Sequence, residues 1–151
     1  MTNLLDASTR SATFARLDAL DPDSDRRWGR MNVGGMLCHL TDSFLACMGE
    51  RETGDRTSIV SKTVMRFIAV STPLPWPKGL PTLPEGDQEK QGTPPGLFEA
   101  DRARLREVTE RFLDELDGAR YFHPLFGRMR RGEWGRWAWR HMDHHFRQFG
   151  V

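Results

Sequence analysis

The 151-residue chain is short of three things, and each shortage closes off a class of protein. It has only two cysteines, Cys38 and Cys47, set within one apparent helix. They are too few and too ill-spaced for a disulfide framework or a CxxC site, so both are expected as free thiols. It has no long apolar run: the most apolar stretch, Val64 to Val70, is short and carries Arg66, and residues 1–20 lack the basic-then-apolar pattern of a signal segment. A soluble, cytoplasmic protein with no membrane partner is expected. Net charge is lacking too: 22 Lys and Arg stand against 21 Asp and Glu, which leaves no overall field to draw in nucleic acid.

What is present suits one domain spanning 1–151, since 17.4 kDa is enough chain to bury a core and too little for two full ones. Apolar residues recur at helical spacing in several windows, and no stretch alternates strictly between hairpin turns, so the fold is expected to be all-α. A first helix is expected from about Ser8 to Leu20, ending at the turn cluster Asp21-Pro22-Asp23-Ser24. The second runs from Asn32 as N-cap to about Met48, with Val33, Leu37, Leu40, Phe44 and Met48 stepping by three or four and Gly49 suited to its end. A short third is expected over Ser58 to Val70, a fourth over Phe98 to Leu116 and a last over Gly132 to Phe149. Seven of the nine prolines fall between Pro73 and Pro95, so that segment holds no regular structure. It is either a crossover climbing the outside of the bundle or a lid over a pocket, with Trp76 and Phe98 as lining residues.

Three of the five histidines, His141, His144 and His145, lie within five residues of the last helix. Two imidazoles at i and i+4 stand one turn apart on one face, where they can reach one metal ion, and His141 and His145 have that spacing. At roughly 100° per residue, they fall with the apolar set, whereas Arg136, Arg140, Asp143 and Arg147 mark the polar side and His144 the boundary. A metal would partner both buried rings at once; backbone hydrogen bonds are the competing explanation. Two ligands do not complete a site. His39, mid-way along the second helix among Gly35, Asp42, Ser43 and Ala46, is either a solvated histidine or a third ligand, and His123, before Pro124 in a turn, reads as structural. Cys38 reads as a small core residue.

The tail His123-Pro124-Leu125-Phe126-Gly127, Glu133-Trp134-Gly135 and His141-Met142-Asp143-His144-His145-Phe146-Arg147-Gln148-Phe149-Gly150 resembles the end of DinB-like proteins of one bacterial branch. Trp28-Gly29-Arg30-Met31 leading to Met36-Leu37-Cys38-His39-Leu40 is similar to the second-helix motif of the same branch. The resemblance runs from the Pro22 turn to the end. It implies a DinB-like four-helix bundle, often dimeric, here with a long Pro-rich crossover loop. It also implies that one histidine of the second helix and an HxxxH pair of the last hold a divalent metal. The matching positions are His39, His141 and His145. Gly35 departs from the polar residue expected there, and Gly34-Gly35 loosens the helix start by about 1 kcal/mol per glycine.

Similarity to this superfamily implies neither DNA polymerase activity nor DNA binding. It implies a metal-dependent enzyme, with Zn²⁺ or Ni²⁺ on three imidazoles and an open coordination position. Relatives that use low-molecular-weight thiols imply a thiol S-transferase or a related transferase or isomerase, a small-molecule substrate, a thiol cosubstrate and a homodimer. Asp42 is the expected catalytic group, supporting a ligand or accepting a proton, and Trp134 and Trp137 are expected to wall the pocket. The alternative is a non-catalytic bundle, either stapled by its metal or binding a small ligand, and dimeric.

Overall fold

The computed structural model describes residues 1–151 and contains helices and loops but no strand. Four α-helices, α1 (Ala7–Asp18), α2 (Val33–Met48), α3 (Phe98–Asp114) and α4 (Arg131–Gln148), take up the periodic windows of the sequence. No helix is long and apolar enough to cross a membrane. Local chemistry sets the limits of α2. Asn32 Oδ1 accepts from the Gly35 N–H at 2.7 Å, and Gly49 closes the far end at φ +79°, a left-handed conformation that glycine adopts without steric penalty. At the start of α4 the Glu133 carboxylate takes the Arg130 N–H at 2.9 Å.

The helices close on one continuous core. Phe44 of α2, Phe112 of α3 and Trp137 of α4 meet there, with Phe44 and Phe112 centroids 4.9 Å apart and Trp137 edge-on to Phe44 at 5.6 Å. Aromatic pairs in such tilted and edge-on arrangements add about 0.5–1.5 kcal/mol each beyond the area they bury. The N-terminal segment crosses α4 at Gly135, where Leu4 N–H bonds the Gly135 carbonyl at 3.1 Å. A Cβ on Gly135 would collide with the Asn3 side chain and lie 2.7 Å from Leu5 Cγ, so this close approach needs glycine.

The expected helix over Ser58 to Val70 is found wound differently, as π-helical turns over Ser61–Met65 and Phe67–Ser71. Ser58 and Ser61 open it by exchanging hydrogen bonds, the Ser61 hydroxyl taking the Ser58 N–H at 2.7 Å and the Ser58 hydroxyl the Ser61 N–H at 3.0 Å. The stretch is rich in β-branched residues, which crowd the preceding turn of an α-helix, and of its two π stretches only Ser61 and Val70 are buried. Little packing therefore holds it to the tighter winding.

The proline-rich segment has one 3-10 turn, Pro84–Gly86, and is otherwise irregular. It is nonetheless tied down along its length. Arg140 of α4 donates to the carbonyls of Thr72 and Leu74, and the Trp76 indole donates to Ala69 O at 2.9 Å. Farther on, Arg30 pairs with Asp87 at 2.7 Å, and Arg51 donates to Glu85 O, Gln91 O and Thr93 Oγ1. Arg140 corrects the helical-wheel assignment. It falls on the polar side of α4 but is buried, because the chain leaving the π-helical segment turns its carbonyls onto that face.

Candidate metal centre

α2 and α4 each deliver their histidines to the same point. Because His141 and His145 are one turn apart on α4, and His39 lies mid-way along α2 where the two helices face one another, one ring nitrogen from each residue falls within 4.8 Å of the other two. The Nε2 atoms of His39 and His141 are 3.1 Å apart. Two nitrogen ligands on a tetrahedral zinc ion, each at about 2.0–2.1 Å, would sit about 3.3 Å apart, so the observed spacing suits a shared cation.

Hydrogen bonds on the outer nitrogens fix two of the three rings. His39 Nδ1 lies 2.8 Å from the Gly86 carbonyl, and because a carbonyl only accepts, the proton is on Nδ1 and Nε2 turns a lone pair inward. Gly86 makes this approach practicable, since a Cβ there would come within 3.1 Å of His39 Nδ1. His145 Nδ1 lies 2.9 Å from Gln148 Oε1, whose amide is oriented by its own NH₂ donating to Trp28 O at 2.8 Å. The result for His145 is the same: Nδ1–H outward, lone pair inward. Partners of this kind, on the far nitrogen of a ligating histidine, hold the ring and its tautomer.

His141 differs. Its Nδ1 is buried without a partner, and its Nε2 faces that of His39. A single proton between the two Nε2 atoms can satisfy that pair alone. A cation in the same place takes all three inward lone pairs at once, and an uncharged set of three imidazoles suits Zn²⁺ or Ni²⁺ better than Mg²⁺ or Ca²⁺. The donor set therefore fits the divalent ion that the sequence implies.

Burial keeps the rings neutral. It lowers the pKa of His39 below the ordinary histidine value and holds those of His141 and His145 well below it, with the neighbouring imidazoles acting in the same direction on His141 and His145. His144 is only partly buried, between the rings of Trp28 at 6.0 Å and Trp76 at 5.9 Å, and it is not one of the three converging histidines.

The cluster opens on a cavity of about 440 Å³. Its walls come from Trp137 of α4, from Met65 and Ile68 of the π-helical turns, from Trp76 and Leu83 of the proline-rich segment, and from Phe126. That segment is thus both a crossover and a wall of the pocket. Trp76 packs at 5.6 Å on His141, as expected for a lining residue, whereas Phe98 lies outside the cavity under Arg102. Of the two tryptophans expected as walls only Trp137 takes that place. Trp134, one turn earlier, is sealed in the core against Phe112 and Tyr121.

Asp42 also borders the cavity, and its carboxylate is fully engaged. Thr93 donates its N–H and its hydroxyl to the two oxygens at 2.8 Å each, and Arg51 lies 3.1 Å away. Cys38 and Cys47 are buried, and burial pushes both thiols up, Cys38 to about 12. Neither is a ready nucleophile. Gly34 likewise admits a neighbour, since a Cβ there would lie 3.1 Å from Pro95 Cβ.

The sequence pattern of the DinB superfamily matches residues 6–149. The chain belongs to the DinB superfamily. No curated protein and no solved structure matches it. In this DinB chain two residues that support the cluster are not among those the sequence points to. Gln148 has a local signal, since it stands at i+3 from His145 on the same helix, but Gly86 lies 47 residues from His39 and has none.

The neutral histidines make stability depend on pH with a definite sign. In the unfolded chain a histidine takes its proton near pH 6.5, whereas burial in the fold lowers His39, His141 and His145, and lowers His123 to about 3. Below that pH the unfolded state binds more protons, so their contribution is complete above it and is lost as pH falls toward the folded values. In metal-free protein a histidine whose folded value lies below the pH contributes a loss of at most about 1.4 kcal/mol per pH unit. Urea midpoints should fall between about pH 7.5 and about pH 5, and a flat profile would show that the rings take up protons in the fold as readily as in the unfolded chain.

Proposed function

We propose that this DinB chain is a divalent-metal-dependent enzyme acting on a small molecule, as a thiol S-transferase or a related transferase or isomerase. The observation that carries the proposal is the position of the cluster: three converging imidazole nitrogens border a cavity of about 440 Å³. Three protein ligands facing open space have the make-up of a catalytic metal site, whereas a structural site is closed by a fourth ligand. A metal that served only to staple α2 to α4 would need no cavity in front of it.

His39, His141 and His145 would hold the ion, with Zn²⁺ or Ni²⁺ best suited to the donors. When bound, such an ion is a Lewis acid that lowers the pKa of a coordinated water or thiol. The rest of the site belongs to the chain. Gly86 and Gln148 orient two of the rings, Trp76 and Trp137 shape an apolar space, and the tie from Asp42 to Thr93 and Arg51 holds the proline-rich wall in place. Asp42 is thus assigned a positioning role, supporting the site through the loop. The high pKa of both buried cysteines supports a thiol supplied by a low-molecular-weight cosubstrate rather than by the chain.

The homodimer is proposed on a separate observation. Ile59 and Val60, just ahead of the π-helical turns, and Val64 and Phe67 within them are all exposed, Ile59 by 80% and Phe67 by 62%. A grouped apolar surface of this kind marks a contact site.

Three measurements test these assignments. Protein purified without added metal or chelator should carry close to one divalent ion per chain by mass spectrometry. The ion should be lost in His39→Ala, His141→Ala and His145→Ala and kept in His144→Ala; wild type that stays empty after reconstitution with Zn²⁺ or Ni²⁺ ends the metalloenzyme proposal. Asp42→Asn should loosen the proline-rich wall, raising amide exchange at Thr93 and weakening metal retention; unchanged exchange and retention would remove Asp42 from the site. Light scattering should give twice the chain mass for wild type and the single mass for Ile59→Lys combined with Phe67→Glu, and a wild-type monomer would dispose of the dimer.

A further inference from the structure

His123 has the geometry of a ligand-binding residue rather than of a turn residue alone. The five residues from His123 to Gly127 form a closed turn: His123 N–H bonds Gly127 O at 3.0 Å, and Gly127 N–H bonds His123 O at 2.8 Å. Inside it the His123 ring bends back over its own backbone. Nδ1 accepts from the N–H groups of Leu125 at 3.1 Å and Phe126 at 3.2 Å. A ring nitrogen that takes two donors carries a lone pair, and in a neutral imidazole the proton must then be on Nε2. Burial, which brings the ring to about 3, keeps it neutral.

The ring is also fixed in orientation. It stacks on Phe126 with centroids 4.3 Å apart and planes within 13°, and it meets Trp137 edge-on at 5.1 Å. No side chain or carbonyl of the protein accepts from Nε2. Nor is that atom sealed away, for the buried polar atoms without partners include His141 Nδ1 but not His123 Nε2. His123 borders the same cavity as the three converging histidines, and the Trp137 indole that it touches also packs on His141 at 5.3 Å. A donor with a locked tautomer, a locked ring and no partner therefore opens on the space in front of the cluster.

We infer that His123 Nε2–H is a hydrogen-bond donor to an oxygen of the molecule bound in this cavity, and that this molecule joins a carbonyl or carboxylate oxygen to an apolar body. The apolar body follows from the walls, where Trp76, Phe126, Trp137 and Ile68 offer contact and little hydrogen bonding. The oxygen follows from His123, because an unpartnered N–H facing a ligand favours one that supplies an acceptor and disfavours one that leaves it bare. The inference rests on the cavity being a small-molecule site.

The test uses the protein as purified, with its metal complement, labelled with ¹⁵N in histidine, and three probes of one shape: benzoate, benzamide and toluene. Long-range ¹H–¹⁵N spectra should show His123 as the Nε2–H tautomer, with the Nε2–H signal moving on addition of benzoate or benzamide and not of toluene. His123→Asn is the matched variant: its side-chain oxygen can still accept from the backbone N–H groups two and three residues on, but the far donor is gone. One of the oxygen-bearing probes should bind wild type about tenfold more tightly than it binds His123→Asn, while toluene binds both alike. An equal affinity for wild type and variant, or an Nδ1–H tautomer, overturns the role of His123 and leaves the cavity as a small-molecule site. Failure of all three probes to bind overturns the small-molecule site and this inference together. Should the variant not fold, the tautomer and the probe-dependent shift in wild type decide the matter alone.

Discussion

Imidazoles packed together away from water must stay neutral, since each proton taken up would place a charge in a desolvated site beside other potential charges. To hold one cation between them they must also turn lone pairs toward a common point, which requires something outside to hold each outer N–H. Most of this structure can be understood as meeting those two demands. Burial by the bundle keeps His39, His141 and His145 neutral, and the carbonyl of Gly86 and the amide of Gln148 hold two of the three protons on the outside. No such partner exists at His141 Nδ1, and that ring is held by packing against Trp76 and Trp137.

The second demand explains why so irregular a segment is so heavily fastened. A carbonyl can orient His39 only if the chain bearing it stays in place, and the proline-rich segment has almost no ladder of its own to keep it there. Arginines fasten it instead, Arg140 at its start and Arg30 and Arg51 farther along, with Asp42 holding Thr93 from below. These contacts link the wall of the cavity to α2 and α4, the elements that carry the histidines. The loop and the cluster are one construction, joined through Gly86.

Trp137 marks the border between core and site. On one side it completes the aromatic packing of Phe44 and Phe112; on the other it touches His123 and His141 and walls the cavity. Residues one turn away serve only one side: Trp134 is entirely core, and His141 is entirely site. A helical wheel places Trp134, Trp137 and His141 on a single apolar face and cannot tell where along the axis core becomes pocket. For the same reason it cannot tell that Trp134, expected as a wall of the pocket, is sealed in the core, and it puts Arg140 in water, where the fold buries it.

The four α-helices and their limits are legible in the chain alone, because capping and amphipathic spacing act over a turn or two. Asn32 and Gly49 bound α2 through bonds to residues three or four away. The shared face of His141 and His145 is legible too, since an i, i+4 pair has one in any α-helix. His39 is ambiguous on its own helix and becomes readable only through resemblance to the DinB superfamily, whose pattern the chain matches from residue 6 to residue 149. Three features wait on the folded molecule: the π winding after Ser58, where packing fails to enforce the α-helix, the partnership of His39 with Gly86, and the donor left free on His123. Each of these depends on which groups meet, or fail to meet, across distances that no local periodicity encodes.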